Sequence, residues 1–506
     1  MKNSINIVWF KRDLRIKDHA PLSEAVKNGS VIPIYIIEPK LWKLPDSSRR
    51  HWHFIHDCLL NLQIELSKLG APLIIRIGEA TEVLERLYRE IGSFTLWSHE
   101  ETGNGWTYKR DIDVALWCRA HNIAWHEKPS NGVIRRLKSR DGWAKLRNER
   151  MAQPIIEAPA AINPFACLIS SNNIPQKDDP MFGSMDIGSV QVGGRKEAIK
   201  TLDSFLKDRG RSYMKTISKP GISARHCSRL SAHISFGTLS VKEVEQATKV
   251  KMASLEVEND SDAAFFHRNL SAFLSRLAWH CHFIQKLEQQ PDIEFKCIHS
   301  AFEGMREPYF RQDFFEAWKT GNTGYPLIDA CMRSLHANGW ITFRMRAMLV
   351  SFASYDLWLD WRETSPFLAQ LFTDYEPGIH YSQFQMQSGV TGMNAVRRYN
   401  PIKQSLDQDP QGKFIRRYVP ELVDVKDDFI HEPWLMDKPP SNYPTPIIDH
   451  KSAIKYARSE LSKRWKQEGF KAESKSANQK LGSRNKQPSR KKSLSKKESS
   501  QLILDL

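Results

Sequence analysis

The sequence predicts a doubly wound α/β domain followed by a larger all-helical domain. At 506 residues the chain exceeds the length that one hydrophobic core usually supports, so two or more domains are expected. Over residues 1–130, short β-branched runs alternate with amphipathic stretches of helical length. From about Lys196 to Lys466, apolar residues recur at helical spacing and strand signals are scarce.

The α/β prediction for residues 1–130 comes from apolar runs that are separated by helix-length segments. Two of these segments, Trp52–Leu69 and Thr81–Ile91, are amphipathic and are followed by a glycine. Because strands joined by helical crossovers lie parallel, we expect a parallel sheet that is covered on both faces. The domain lacks the G-x-G-x-x-G and P-loop motifs, so it does not predict ordinary nicotinamide or P-loop chemistry. The predicted strands are Ile5–Phe10, Val31–Ile37, Leu73–Ile77, Phe94–Ser98 and Ile123–His126.

Three further segments complete the predicted organisation. Residues 131–195 are rich in proline and glycine, which predicts a long connector between the domains. Residues 196–466 form the predicted helical domain, with helical spacing in stretches such as Phe266–Leu287 and Phe343–Trp361. Residues 467–506 are basic, serine-rich and of low complexity, so we expect a disordered tail.

The charge balance favours a polyanionic partner. The formal net charge is +16, and residues 471–506 alone hold ten Lys or Arg against three acidic residues. Nucleic acid fits this excess, although solubility can explain the moderate charge of the remaining chain.

We expect a cytoplasmic protein without membrane contact, because no apolar run is long enough to span a bilayer and no signal peptide is recognised. We also expect a monomer. The seven cysteines form no C-x-x-C pair, so no metal site is predicted.

Five sequence blocks carry a resemblance to a known family. They are WFKRDLRIKDHAPL (9–22), RLSAHISFGTLS (229–240), TGYPLIDACMRSL (323–335), NGWITFRMRAMLVSFASYDLWLDW (338–361) and the stretch YNPIKQ to RRYVPEL (399–422). In this order and spacing, they resemble the DNA photolyase and cryptochrome family over roughly residues 5–440. The resemblance implies an α/β antenna domain and a helical domain that binds FAD, which agrees with the periodicity.

The resemblance implies that residues 228–231 bind the phosphates of FAD. This segment presents two hydroxyls and a cation beside a predicted helix start, where backbone N–H groups attract anions. The alternative is a serine cap beside a surface arginine.

By resemblance, Arg346 and Asp374 pair beside the flavin and Glu376 contacts the flavin or ribose. The other interpretation of these residues is a structural salt bridge. The expected cofactor residues are Tyr213, Ser228, Arg229, Leu230, Ser231, Trp279, Arg344, Arg346, Asp374, Tyr375, Glu376 and His380.

Two positions expected to serve electron transfer or flavin tuning are His380 and Trp361. His380 stands where the family usually has Asn, Asp or Cys facing the flavin, and we expect its charge to change near neutral pH; a hydrogen-bonded loop histidine is the alternative. Trp361 matches the middle member of the family's relay of three tryptophans. Phe384 occupies the flavin-proximal position and is too hard to oxidise, so the usual route is interrupted. Another route would use tryptophans that otherwise fit a core: Trp279, Trp340 and Trp358.

The lesion-binding positions also depart from the family. Arg276 replaces the glutamate that hydrogen-bonds the pyrimidines in cyclobutane-dimer repair enzymes, and Phe343 replaces an asparagine. The histidine used against the other major ultraviolet lesion is missing. Binding of a flipped base requires cations for phosphates and aromatic side chains for stacking. The candidate DNA-binding residues are Arg276, Trp279, Phe343, Lys403 and Gln404.

The sequence leaves two functions open, of which repair is favoured. In the first, the protein repairs pyrimidine photolesions by light-driven electron transfer from reduced flavin. In the second, it is a cryptochrome-type blue-light receptor without repair activity. A dark flavin oxidoreductase is disfavoured because no nicotinamide site is visible. The segment HEETGNGWTYKRD (99–111) resembles the family's antenna region, where Trp106 and Tyr108 either stack on a folate or deazaflavin or cover a helix start.

Overall fold

A computed structural model describes residues 4–167, 169–258 and 260–484. Its N-terminal part contains one parallel sheet of five strands, which confirms the α/β prediction with strand ends displaced by one or two residues. The strands are β1 (Ile5–Phe10), β2 (Ser30–Ile37), β3 (Ile74–Ile77), β4 (Thr95–His99) and β5 (Trp125–Lys128). They lie in the order β3-β2-β1-β4-β5, which is a doubly wound arrangement.

Helices cover both faces of the sheet because both faces are apolar. In β1, Val8 and Phe10 pack into one hydrophobic cluster, whereas Ile7 and Trp9 pack into the other. The first cluster contains residues of the helices that follow β1 and precede β3, and the second contains residues of the two later helices. The helices are α1 (Ala20–Lys27), α2 (Pro39–Trp42), α3 (Arg49–Lys68), α4 (Ala80–Ile91) and α5 (Gly105–Ala120).

The remainder is helical in the part of the chain that the structure describes. Helix α6 (Trp143–Ala152) lies in the predicted connector. None of the helices in the described ranges is long and apolar enough to cross a bilayer. The later helices are α7 (Arg195–Lys207), α8 (Tyr213–Thr216), α9 (Pro220–His226), α10 (Ser231–Ser235), α11 (Val241–Glu258), α12 (Ser261–Gln289), α13 (Gln312–Thr320), α14 (Pro326–Asn338), α15 (Phe343–Ser351), α16 (Trp361–Leu371), α17 (Pro377–Ser388), α18 (Pro401–Gln408), α19 (Lys413–Tyr418), α20 (His450–Trp465) and α21 (Phe470–Leu481).

The stretch Phe343–Trp361 is not one continuous helix. Its α-helical part ends at Ser351, a π-helical turn spans Phe352–Asp356, and α16 begins at Trp361. Trp358 has a φ of 54°, which is incompatible with a right-handed helix, and the Asp360 side chain accepts a hydrogen bond from the Arg362 N–H. The regular apolar spacing therefore gave no sign of this break, which is imposed by the Asp360 cap and by the left-handed conformation of Trp358.

The predicted disorder of residues 467–506 is wrong for the first part of that segment. Helix α21 runs from Phe470 to Leu481, and Leu481 is fully buried. Apolar anchors at both ends of α21 therefore order a segment whose average composition suggested otherwise. Residues 485–506 lie outside the described residues.

The loop that follows β1 joins the two domains. The Leu14 N–H donates to the Phe236 carbonyl at 3.1 Å, and the Arg12 guanidinium donates to the Tyr375 carbonyl at 2.7 Å. This close approach requires a glycine at position 237, where φ is +67° and an added Cβ would lie 2.3 Å from the Arg12 carbonyl oxygen. The first two of the five sequence blocks therefore meet at one contact surface between the domains.

Candidate functional site

The helical domain encloses a cavity of about 490 Å³. This volume lies in the range of about 300–1,000 Å³ that is usual for ligand pockets. The cavity is mainly apolar, with a few polar and charged groups directed into it. Of the residues predicted to bind cofactor or DNA, those that line it are Tyr213, Ser228, Arg229, Ser231, Arg276, Trp279, Phe343, Arg344, Arg346, Asp374, Tyr375, Glu376 and His380.

Four predicted site residues do not line the cavity. Leu230 is buried in the hydrophobic core beside it, and Trp361 is fully buried in the main core of the helical domain. Gln404 lies outside the cavity lining, and its side-chain carbonyl accepts a hydrogen bond from the lining residue Arg344 at 3.3 Å. Lys403 is on the outer face of α18 and pairs with Asp407 at 3.4 Å. The expectation of direct cofactor contact is therefore wrong for the Leu230 side chain, because its apolar group packs into the core.

Helix α17 supplies one wall of the cavity through its periodicity. Its residues His380, Gln383, Phe384 and Gln387 follow the i, i+3, i+4, i+7 spacing that places side chains on one helical face. Pro377 occupies the first turn, where its missing N–H costs no helical hydrogen bond. These side chains of α17 therefore point in one direction, into the cavity.

Arg346 and Asp374 form the central ion pair of the site. Two parallel hydrogen bonds join them, from Arg346 Nη1 to Asp374 Oδ1 at 3.0 Å and from Nη2 to Oδ2 at 2.9 Å. Burial alone would raise the pKa of Asp374, but the charge and hydrogen bonds of Arg346 outweigh burial and lower the pKa. Ser231 also donates a hydrogen bond to this carboxylate. The predicted pair exists, and it links the Ser231 segment to the cavity wall.

The predicted phosphate-binding segment places a half-buried cation at the cavity. Arg229 has a φ of 61°, and its guanidinium lies over the Trp340 ring at 4.2 Å. It also donates a hydrogen bond to Gln191 at 3.2 Å. Burial lowers the pKa of Arg229 to about 10, so the group is still a cation at neutral pH. The interpretation of Arg229 as an ordinary surface arginine is therefore wrong.

His380 does not have the charge behaviour that the sequence suggested. Burial lowers the pKa of its imidazole to about 4, so the ring is neutral at pH 7. Nε2 lies 2.9 Å from the Ser365 carbonyl, so it carries the proton and Nδ1 is left as an acceptor. The expected change of charge near neutral pH is wrong because the ring is removed from water. Phe384 contacts His380 at 4.7 Å between ring centroids.

Two family models match the chain. The FAD binding domain of DNA photolyase matches residues 273–463, and DNA photolyase matches residues 6–140. A deoxyribodipyrimidine photo-lyase of Alkalihalophilus pseudofirmus is 28% identical, over 90% of this chain and 98% of the relative. A cryptochrome DASH of Gloeobacter violaceus is 26% identical, over 89% of this chain and 94% of the relative. The chain belongs to the DNA photolyase and cryptochrome family.

A solved structure extends the family likeness to three dimensions. The crystal structure of a bacterial class III photolyase from Agrobacterium tumefaciens superposes with a TM-score of 0.79 at 26% sequence identity. The alignment covers 92% of this chain and 99% of that chain. The N-terminal α/β domain and the C-terminal helical FAD domain are therefore the architecture of the family, as the sequence predicted.

The cavity fits the FAD that the family binds. Three polar atoms at its wall are buried without a hydrogen-bond partner: Arg344 Nε, His280 Nε2 and Gln387 Oε1. A buried polar atom left unpaired costs about 1–3 kcal/mol, so such atoms indicate a polar ligand. Arg229 and Arg346 add positive charge for a pyrophosphate, while the apolar lining suits a flavin ring. Charge, polarity and size all agree with FAD.

A smaller cavity lies at the carboxyl end of the sheet, where Phe236, Tyr375 and Pro377 of the helical domain also line it. Its volume is about 90 Å³, and its lining includes Asn104, Thr107 and Arg110 of the predicted antenna segment. Asn104 caps α5 by accepting a hydrogen bond from the Thr107 N–H at 3.1 Å. Trp106 and Tyr108 lie in the first turn of α5, which is the position expected of residues that cover a helix start.

One cluster near this sheet has the composition of a metal site but is satisfied by its own hydrogen bonds. Asp13, His19 and His99 place their ligand atoms within 4.8 Å of one another. Asp13 Oδ2 lies 2.9 Å from His19 Nε2 and 2.6 Å from His99 Nδ1, while Oδ1 accepts from the Lys11 N–H at 2.7 Å. The cluster thus fixes the loop after β1 without another ligand.

Several cavity residues are absent from the set that the sequence predicts. Phe372, Gln387 and Lys286 occupy the wall in regular helical or loop positions that have no distinguishing motif. Lys286 could have been found from the seven-residue spacing to Trp279 on one face of α12. Asn478 and Ser483 also line the cavity, although they belong to the segment predicted to be disordered. Their position depends on long-range docking that local sequence does not encode.

Proposed function

We propose that this protein is an FAD-dependent DNA photolyase that binds ultraviolet-damaged DNA and repairs pyrimidine photolesions under blue light. The observation that supports it most is a deep cavity in which the Arg346–Asp374 pair and aromatic side chains share one space. When bound, reduced FAD supplies the light-absorbing group and the electron for repair. The surrounding protein binds, orients and shields the reacting groups.

The cofactor-binding residues have separable roles in this proposal. Arg229 and Ser231 would hold the phosphates, and Arg344 would donate its unpaired Nε–H to a polar atom of the cofactor. Arg346 provides a fixed positive charge, held by Asp374, that favours a negatively charged ligand. Neutral His380 would offer Nδ1 as a hydrogen-bond acceptor. Tyr213, Tyr375 and Glu376 complete the polar wall.

The mouth of the cavity suits a flipped pyrimidine. Phe343 is 44% exposed at the start of α15, and Trp279 is stacked on Phe283 at 5.6 Å between centroids. A base can stack on such rings, at about 1–3 kcal/mol per base. Arg276 hydrogen-bonds Tyr213 at the same wall, and exposed Lys403 would contact a phosphate farther out. Gln404 would act indirectly, by fixing Arg344.

A cryptochrome-type blue-light receptor without repair activity is the second candidate. Relatives named photo-lyase and cryptochrome DASH match at similar identity, 28% and 26%. Phe384 beside His380 interrupts the expected tryptophan relay near the flavin, and this departure favours neither candidate over the other. Trp361 would then need another partner for electron transfer. A second chromophore of folate or deazaflavin type would have to enlarge the cavity of about 90 Å³.

The deciding experiment follows the loss of each class of pyrimidine photolesion in light and in darkness. Reduced protein is mixed with irradiated single- and double-stranded oligonucleotides. We expect repair only in light, and a decrease of about tenfold or more in Trp279→Ala, because one stacking platform is lost. Trp465→Ala is the matched control, since Trp465 is 39% exposed on α20 and does not line the cavity. Flavin photoreduction without loss of any lesion would favour the receptor.

A further inference from the structure

The last described segment of the chain forms part of the cavity wall. The match to the FAD-binding family model ends at residue 463, whereas α21 begins at Phe470. Near the end of α21, Asn478, Gly482 and Ser483 all line the cavity of about 490 Å³. An element outside the matched family region therefore borders the space that fits FAD.

The first turn of α21 is attached to the core of the helical domain. Phe470 stacks on the His299 imidazole with 4.0 Å between centroids, and His299 Nε2 lies 3.0 Å from the Phe470 carbonyl. Glu473 accepts hydrogen bonds from both the N–H and the hydroxyl of Ser300, each at 2.7 Å. His299 also packs against Gly392, whose loop continues into the cavity wall. This end of α21 is therefore a firm base.

The attachments of the other end of α21 include an apolar anchor, Leu481, and an ion pair of Arg484. Leu481 is fully buried. The Arg484 guanidinium donates to the carbonyls of Asn478 at 3.3 Å and Gln479 at 2.6 Å, which closes the end of the helix. The same guanidinium pairs with Asp141 of the connector at 2.6 Å.

The two attachments differ in strength, and this difference allows the outer end to open. Asp141 is 77% exposed and Arg484 is 34% exposed, so their pair is accessible to water and salt. Because the ion pair at this end is accessible to water, local opening of this end costs less free energy than unfolding of the domain. A small open population would then exchange with the closed state. The base at Phe470 is held by more contacts and would act as the hinge.

We propose that Phe470–Arg484 is a strap that closes one side of the cofactor cavity and limits how fast FAD enters and leaves. The strap would open at its Leu481 and Arg484 end and pivot near Phe470. The inference uses FAD binding only, so it can fail or hold independently of the proposed repair reaction. A slow cofactor exchange would then be a property of this chain's extension rather than of the matched FAD domain.

The test measures the rate of FAD release from full-length holoprotein after dilution, using the fluorescence of the released cofactor. Leu481→Ala removes the anchor, and we expect release to accelerate by about tenfold. Leu87→Ala is the matched control, because Leu87 is also fully buried but lies on α4 in the core of the α/β domain and does not line the cavity. We expect its release rate to stay within about twofold of the unsubstituted protein, despite a similar loss of core packing.

A second pair of variants tests the ion pair without altering the core. Asp141→Asn should accelerate release by about two- to threefold, and raising the salt concentration should reduce the difference from the unsubstituted protein. Asp313→Asn removes a comparable exposed pair, Arg311–Asp313, away from the cavity and should leave release unchanged. Equal release in the two leucine variants would overturn the strap. If Leu481→Ala does not fold, equal release in Asp141→Asn and Asp313→Asn would overturn it instead.

Discussion

The charged groups beside the two cavities of this molecule differ in how completely they are paired. In the α/β domain, Arg110 contacts Glu38 at 2.9 Å and Glu101 at 2.7 Å, and Lys11 pairs with Asp111 at 3.1 Å, beside a space of about 90 Å³. The helical domain has one ion pair at its centre, several unpaired polar atoms and about 490 Å³ of space. The first set of charges is satisfied internally, whereas the second is incomplete without a ligand.

The comparison explains why ligand binding is assigned to the helical cavity. Buried charges are stable only when paired and hydrogen-bonded, and the α/β group meets this condition alone. Unpaired atoms such as Arg344 Nε and His280 Nε2 would cost stability in the helical cavity unless a ligand satisfies them. Three substitutions test this difference. One changes a charge in the helical cavity, one changes a charge beside the smaller cavity, and one changes a charge where the two domains meet.

The largest effect is expected from Asp374→Ala in the helical cavity. Removing one partner of a buried ion pair costs about 3–5 kcal/mol, and the unpaired Arg346 would no longer be held in place. We expect FAD content after purification to fall by at least about tenfold, measured by absorbance after denaturation. Asp374→Asn should retain more FAD because its side-chain oxygen can still accept one hydrogen bond. Full FAD content in Asp374→Ala would contradict the central role of the pair.

No change in FAD content, but a clear loss of stability, is expected from Arg110→Gln beside the smaller cavity. The substitution leaves Glu38, Glu101 and Asp111 without their shared cation, which should lower the free energy of unfolding by about 3 kcal/mol. Urea unfolding measures this loss. FAD content should be unchanged, because the group serves folding rather than the cofactor. Loss of FAD in a folded Arg110→Gln protein would contradict the interpretation that the Arg110 group serves folding and the helical cavity serves ligand binding.

The features that local pattern encodes could be predicted from the sequence. The five strands and the helical second domain are among them, because apolar periodicity determines them, whereas the Arg346–Asp374 pair was implied by the family resemblance. The neutral state of His380 was not predicted, since it depends on burial by α16 and α17. Helix α21 was missed because composition described its average polarity, whereas its docking depends on Phe470 and Leu481 at its ends.

The smallest expected effect is that of Glu376→Gln, where the domains meet. Glu376 lines the helical cavity and lies 3.3 Å from Arg12 of the α/β domain. Burial raises the pKa of this carboxyl from 4.5 to about 6, although Arg12 opposes the shift. The folded state therefore binds the proton more tightly than the unfolded state. The resulting stabilisation is present below pH 4.5 and is lost as the pH rises through about 6.

The pKa shift of Glu376 corresponds to about 2 kcal/mol of folding free energy. A glutamine at this position does not ionise, so its contribution to stability does not change with pH. We therefore expect the unsubstituted protein to lose about 2 kcal/mol more than Glu376→Gln between pH 4.5 and pH 7.5, measured by urea unfolding at both values. Parallel pH profiles would mean that Arg12 fully compensates the buried carboxylate of Glu376. The divergent result would mean that Arg12 only partly offsets the burial of Glu376, whose cation comes from the other domain, just as Arg110 only partly offsets the burial of Glu38.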